Sequence, residues 1–142
     1  MFIGQYSHNL DDKGRVAVPA KFRPQLTSAV VTKGLDNCLF LYPQKEWEKM
    51  AKEISELPID KMGNRAFSRA MLAGAMEVEF DKQGRIILPE YLRQFAGLAK
   101  NVVIAGLYNR LEIWDEAKWK KYQNNSEKNY NEIAEALRDL KT

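Results

Sequence analysis

DDKGRVAVPAKFR, residues 11–23, returns 70 positions later as DKQGRIILPEYLR, residues 81–93. Both copies place Gly and Arg together after an Asp, then run through mostly aliphatic residues to a Pro and a final Arg. Asp accepts hydrogen bonds from the backbone that follows it, and Gly tolerates positive φ, so each Asp-x-x-Gly predicts a hairpin turn. The chain therefore carries two matching turns, each followed by a short strand and a short helix that begins near Pro19 or Pro89.

The repeat extends well beyond the turns. VVTKGLDNCLFLYPQKEW, residues 30–47, aligns with VVIAGLYNRLEIWDEAKW, residues 102–119, at a spacing of 72 that pairs Gly34 with Gly106. The alignment also pairs apolar and aromatic residues: Leu39 with Leu111, Leu41 with Ile113, Tyr42 with Trp114, and Trp47 with Trp119. This shared order of strand, Gly bend, strand and aromatic residues indicates an internal duplication. We interpret the recurring aromatic residues as core or interface packing.

The size of the repeats predicts that they fold together. Each spans about 45 residues, near the ~40 residues below which a chain seldom folds unaided, so the two should bury their apolar faces against each other. Apolar spacing also predicts helices between the repeats, at 46–57 and 64–75, and a helix at the C-terminus. We expect one structural unit with a first repeat at 5–50, a helical connector at 51–76, a second repeat at 77–122 and a C-terminal helical segment at 123–142.

Composition narrows the class of protein. The 142 residues are 45% hydrophobic with a formal charge of +3, which permits a nucleic-acid partner without demanding one. Cys38 is the single cysteine, so an intramolecular disulfide and a Cys-rich metal site are excluded. No apolar run approaches the ~20 residues of a membrane span, and the N-terminal residues do not read as a secretion signal. These features predict a soluble cytoplasmic protein without a membrane partner.

The residues around both turns resemble the MraZ family, bacterial transcriptional regulators tied to the division and cell-wall gene cluster. MFIGQYSHNLDDKGRVAVPAKFR and EVEFDKQGRIILPEYLRQFAGL carry the likeness, which extends to NVVIAGLYNRLEIWD. The resemblance implies an α+β fold in which the two repeats form a pseudo-two-fold AbrB-like swapped-hairpin β-barrel with added helices. It also implies homo-oligomers, typically rings, that bind short direct repeats of promoter DNA in the nucleoid.

The same resemblance implies which residues contact DNA, because family members present them around Asp-x-x-Gly-Arg. The candidates here are Lys13, Arg15, Lys82, Gln83 and Arg85. The second turn matches less closely, since Gln83 stands at the position of Lys13. A turn between two strands can enter the major groove as a β-ribbon, where an Arg guanidinium can pair bidentately with guanine. A Lys beside the Gly would more naturally meet a phosphate.

Structural roles for the same side chains stay open. Arg15 and Arg85 could instead pair with the Asp at the start of their own turns. Arg23 and Arg93 end short helices, where a cation complements the helix dipole, so a structural role is favoured for both. We interpret the two Asp residues as turn formers rather than metal ligands. His8 has no second His with which to build a metal or catalytic site.

Three functional classes remain. The first is a sequence-specific DNA-binding regulator, and the second is an oligomeric protein-interaction module in which DNA binding is secondary. The third, an enzyme, lacks support because no paired carboxylates, Ser/His or Cys/His set, G-x-G-x-x-G or P-loop is found. We therefore expect no cofactor, no metal and no small-molecule substrate.

Overall fold

The computed structural model describes residues 1–141, apart from the side chain of Lys141. Its strands are β1 Phe2–Asn9, β2 Arg15–Ala17, β3 Ala29–Lys33, β4 Leu39–Pro43, β5 Met76–Val78, β6 Arg85–Ile87, β7 Asn101–Tyr108 and β8 Leu111–Asp115. A 3-10 helix covers Ala20–Leu26, and the α-helices are α1 Gln44–Ser55, α2 Met62–Ser68, α3 Glu90–Ala96, α4 Glu116–Lys128 and α5 Tyr130–Lys141. A π-helical segment, Arg69–Ala73, continues α2. The α+β class predicted from the sequence is confirmed.

The strands form a six-stranded antiparallel sheet in the order β1-β7-β8-β4-β3-β5, and a separate two-stranded ribbon, β2–β6. Between the two repeats, β1 corresponds to β5, β7 to β3 and β8 to β4. If each strand is replaced by its equivalent and the order is read backwards, the same order results, so the sheet has pseudo-two-fold symmetry. Strands of one repeat therefore pair with strands of the other: β1 with β7, β5 with β3, and β2 with β6. Within residues 1–141 these ladders give an open sheet and a ribbon rather than the closed barrel that was expected.

Strand register locates the pseudo-two-fold axis. In the sheet, Phe40 lies opposite Glu112, its own repeat equivalent, with equivalent pairs on either side. In the ribbon, Val16 lies opposite its equivalent Ile86. The axis therefore passes through the centre of both ladders, so the ribbon is built equally by the two repeats.

The register corrects one detail of the sequence alignment. Val31 lies opposite Leu41, and Ile104 lies opposite Ile113, so Val31 corresponds to Ile104 at a spacing of 73. The pairing of Gly34 with Gly106 is therefore wrong by one residue. The bend after Lys33 contains one residue more than the equivalent bend in the second repeat, and this extra residue shifts the strand before it.

Apolar side chains pack on both faces of the six-stranded sheet. On one face the sheet packs against the ribbon, the 3-10 helix and α3, and the fully buried Val16 and Ile86 lie at the centre of this core. On the other face α1, the π-helical segment and α4 cover Tyr42 and Trp114. Tyr42 and Trp114 are buried, which confirms that these recurring aromatic residues pack in the core.

Two helices differ from the expectation. The first short helix is a 3-10 helix, which includes Pro24 and continues to Leu26. Helix α4, Glu116–Lys128, was not predicted, because only the end of the polar C-terminal region shows an apolar stripe. Helix α5 carries that stripe, and its residues 130–140 are exposed, so α5 does not pack against the rest of the chain.

Candidate nucleic-acid interface

The two Asp-x-x-Gly turns have the same backbone geometry. Gly14 N donates to Asp11 O at 3.0 Å, and Gly84 N donates to Asp81 O at 3.0 Å. The N–H of each Asp donates in turn to the carbonyl of the Arg that follows the glycine. Gly14 has φ +80° and Gly84 has φ +75°, a region that side-chain-bearing residues rarely adopt. The hairpin turns predicted from the sequence are confirmed.

Asp11 and Asp81 hold these turns through their side chains. Asp11 Oδ1 accepts from Arg15 N at 2.8 Å and from Lys13 N at 3.0 Å. Asp81 Oδ1 accepts from Arg85 N and Gln83 N, both at 2.9 Å. The backbone N–H of the Arg is the main cause that lowers the pKa of each Asp carboxyl, and the Arg guanidinium lowers it further. The interpretation of both Asp residues as turn formers is confirmed.

Each Arg also pairs with the Asp of its own turn. Arg15 Nε lies 2.6 Å from Asp11 Oδ2, and Arg85 Nε lies 2.9 Å from Asp81 Oδ2. Arg85 Nη1 is 3.9 Å from Asp11 Oδ2, so the two pairs meet at the middle of the ribbon. Within the described chain, the η nitrogens of Arg15 donate no hydrogen bond. The pairing through Nε therefore leaves the other edge of the guanidinium available to a ligand.

The outer face of the ribbon presents the two arginines. Arg15, Ala17, Arg85 and Ile87 share this face, because Arg15 lies opposite Ile87 and Ala17 lies opposite Arg85. The Arg side chains are about one-third exposed, at 30% and 27%, and Ile87 is 60% exposed. Ala17 and Ile87 are repeat equivalents of different size, so this face is only approximately symmetric.

The remaining candidate residues lie in the turns at the two ends of the ribbon. Lys13, Lys82 and Gln83 are exposed, and none of their side chains makes a hydrogen bond within residues 1–141. Arg15 and Arg85 therefore share one face of the ribbon, and the other three candidate residues lie exposed at its two ends. The first turn offers Lys13 and the second offers Lys82 and Gln83, so the two ends differ chemically.

Sequence reasoning missed how Arg23 and Arg93 are used. Arg23 Nε donates to Val18 O and Arg93 Nε donates to Leu88 O, both at 2.9 Å, instead of capping the end of a helix. Each guanidinium crosses to the turn of the other repeat. A Cβ atom added to Gly84 would overlap the Arg23 guanidinium, and one added to Gly14 would lie 2.8 Å from Arg93 Nε. In the sequence, the sign of a shared role is that Arg23 and Arg93 each stand four positions after a Pro.

The described residues offer little for other chemistry. Among residues 1–141, no group of three or more His, Cys, Asp or Glu side chains is placed to hold a metal ion. The same part of the chain contains no helix long and apolar enough to cross a membrane. Cys38 is buried in the aromatic core, where burial raises the pKa of its thiol far above the usual range.

The lowered pKa values of Asp11 and Asp81 predict a loss of stability in acid. The unfolded chain binds these protons near the usual Asp pKa of about 3.9, whereas the folded chain binds them only at lower pH. The stabilisation is therefore present above about pH 4 and is lost as pH falls through the folded pKa values. Melting temperatures measured from pH 6 to pH 2 should fall less steeply in Asp11→Asn/Asp81→Asn than in the unmodified protein. An equal slope in the double variant and in the unmodified protein would contradict the assignment.

Comparison with known proteins identifies the family. A family model described as "MraZ protein, putative antitoxin-like" matches residues 1–70 and again residues 71–141. A Transcriptional regulator MraZ of Halothermothrix orenii is 51% identical over 141 residues, which cover 99% of each chain. Proteins of the same name from Natranaerobius thermophilus and Pediococcus pentosaceus are 53% and 51% identical with the same coverage. These relatives are named as regulators of transcription and not as enzymes.

The chain belongs to the MraZ family, and each of its two repeats matches the family model separately. The resemblance predicted from the two turns is thereby confirmed.

Proposed function

We propose that this protein is a transcriptional regulator that binds DNA through the outer face of the β2–β6 ribbon. The observation that carries the proposal is the pair of Arg side chains, Arg15 and Arg85, which share this face and are each anchored to an Asp through Nε. The names of the relatives support the regulatory role. The core packs against the other side of the ribbon, so the outer face is left open to a partner.

The dimensions of the ribbon suit the major groove. Gly14 O accepts from Leu88 N and Gly84 O accepts from Val18 N, so the two turns lie four residue steps apart along the ladder. At ~3.3 Å per residue the turns lie about 13 Å apart. The major groove is about 12 Å wide and admits a two-stranded ribbon. If the outer face of the ribbon points into the groove, each turn would lie near one of the two sugar–phosphate backbones.

The chemistry of the side chains assigns their roles. The η nitrogens of Arg15 would donate to O6 and N7 of guanine, two acceptors that match the spacing of guanidinium donors. Arg85, whose Nη1 lies 3.9 Å from Asp11 Oδ2, would donate to guanine through Nη2. Lys13 and Lys82, as exposed point charges, would contact phosphates. Gln83 carries an amide, which pairs with adenine in the major groove, so the second turn would read a different base from the first.

The exchange of strands between the repeats supports the swapped-hairpin arrangement of AbrB-like folds. Strand β1 of the first repeat pairs with β7 of the second, and β5 of the second pairs with β3 of the first. The isolated bridge between Leu10 and Val16 links the edge strand β1 to the ribbon. A barrel-like closure around the core between ribbon and sheet is our interpretation of these links.

An exposed helix supports the homo-oligomer. The apolar stripe of α5 consists of Tyr130, Ile133, Leu137 and Leu140, all exposed. The π-helical segment Arg69–Ala73 by contrast packs on the sheet, where Met71 is buried and its carbonyl accepts from Thr32 Oγ1. Residues 59–69 contain the exposed Ile59, Met62 and Phe67 and have a net charge of +2, from three basic residues and Asp60. The residues of α5 have a net charge of −1, from three acidic and two basic residues. We propose that α5 of one copy packs on residues 59–69 of the next, which builds a head-to-tail ring.

Leu137→Glu is expected to reduce the size of the oligomer, because it places a charge in the apolar stripe of α5. Multi-angle light scattering should give a smaller mass than for the unmodified protein at the same concentration. Asn131→Glu introduces the same charge on the opposite side of α5 and should leave the mass unchanged. Equal masses for both variants and the unmodified protein would contradict the proposed role of α5.

The operator we propose is a set of short direct repeats upstream of the division and cell-wall gene cluster. The ribbon has little net charge, so one copy would bind weakly, and linked copies on tandem repeats gain affinity by ~10²–10⁴. The test is binding of the protein to DNA upstream of its own gene and to shuffled DNA at several salt concentrations. Preference for the upstream DNA, with affinity falling steeply as salt rises, supports the proposal. Equal binding to both would favour the protein-interaction module instead.

A further inference from the structure

The two Arg–Asp pairs give the outer face of the ribbon no net positive charge. Arg15 and Arg85 lie beside Asp11 and Asp81, so the two pairs together carry no net charge. DNA binding depends on cations that neutralise phosphates and release counterions. Lys13 and Lys82 would supply part of this charge, and other cations beside the turns would add to it.

Arg23 and Arg93 are half-buried cations at those positions. No ion pair within residues 1–141 includes either of them. Each uses Nε to hold a backbone carbonyl, and neither donates a hydrogen bond through an η nitrogen in the described chain. The Arg93 guanidinium lies against Gly14, the residue before Arg15, and the Arg23 guanidinium lies against Gly84, the residue before Arg85.

This arrangement prepares a guanidinium for an anion. Fixing Nε to a carbonyl removes much of the freedom of a long side chain before any ligand binds. The two η nitrogens of a guanidinium form a planar fork that fits two oxygens of a phosphate. A cleft beside the first turn, with a volume of about 570 Å³, is lined by Arg93 and Lys100 together with Asp11 and Asp12, so Arg93 can be reached from solvent.

We propose that Arg23 and Arg93 bind backbone phosphates of DNA, one at each end of the ribbon. Arg93 of the second repeat binds beside the first turn, and Arg23 of the first repeat binds beside the second turn. Each end of the interface is thus shared between the repeats, with base contacts from one and a phosphate contact from the other. This inference rests on the proposed DNA binding.

The test measures how affinity depends on salt in Arg93→Gln and Arg93→Lys. Losing one phosphate contact should reduce the slope of log affinity against log salt by about 0.9 for each bound subunit. Arg93→Gln should show this reduction and should weaken binding to upstream and shuffled DNA by the same factor. Arg93→Lys keeps the charge and should keep the slope. Arg23→Gln provides the same measurement at the second turn if Arg93→Gln does not fold.

An unchanged slope in both Arg→Gln variants, with loss confined to upstream DNA, would overturn the proposal in favour of a purely structural role. Salt-independent binding by the unmodified protein would instead overturn the DNA-binding proposal itself.

Discussion

Arg15→Ala is expected to lower affinity for upstream DNA by five- to 150-fold, because a good bidentate contact to a base is worth about 1–3 kcal/mol. Binding to shuffled DNA should change much less, since the lost contact is to a base and not to the backbone. Fluorescence anisotropy with upstream and shuffled duplexes at one salt concentration measures both affinities. The melting temperature should change little, because the Asp11–Arg15 pair is partly exposed and surface ion pairs stabilise weakly.

Two control variants make the Arg15→Ala result specific. Lys45→Ala removes one exposed positive charge from α1, on the far side of the sheet from the ribbon, and should not change binding. Asp11→Asn weakens the ion pair but keeps the guanidinium, so it should retain more affinity than Arg15→Ala. A large fall in melting temperature for Arg15→Ala, with equal losses on both DNAs, would show that the internal pair is the role of Arg15.

Ile86→Ala is expected to reduce the free energy of unfolding by about 2–5 kcal/mol, as is typical when a buried Ile is truncated and leaves a cavity. Ile86 is fully buried and lies opposite Val16 on the pseudo-two-fold axis, where the ribbon packs on the sheet. The change removes apolar contacts made by both repeats at once. Denaturation by urea at a fixed protein concentration measures the effect, since assembly adds to apparent stability.

Ile87→Ala is the matched control for Ile86→Ala. The two residues are adjacent in β6, but Ile87 is 60% exposed on the outer face. Ile87→Ala should alter the free energy of unfolding by less than ~0.5 kcal/mol, as expected at an exposed site. Similar losses for both variants would mean that the ribbon does not separate a core face from an outer face.

Local chemistry made the turns predictable from the sequence. Asp-x-x-Gly specifies a tight turn through an acceptor side chain and a residue that tolerates positive φ, and both requirements involve only neighbouring residues. The confirmed hydrogen bonds from Lys13 N and Gln83 N to the Asp carboxylates are of this kind. The duplication was equally visible, because equivalent residues keep their order in both copies.

Tertiary relations account for what the sequence did not reveal. The spacing of 73 between Val31 and Ile104 depends on a bend that is one residue longer in the first repeat, and an alignment of two similar strands does not detect such a slip. The reach of Arg23 and Arg93 to the opposite turns depends on how the repeats pack. Helix α4 was missed although Asp115, whose side chain accepts from Lys118 N, provides an N-cap.

Cross-linking from the ribbon tests the central claim most directly. A photoreactive amino acid at Ile87 would stand on the outer face, and one at Lys45 would stand on α1, on the opposite side of the sheet from the ribbon. Both positions are exposed, and neither lies in the proposed interface between copies. The proposal predicts cross-links to upstream DNA from position 87 and none from position 45. Cross-links from position 45 with none from position 87 would contradict it.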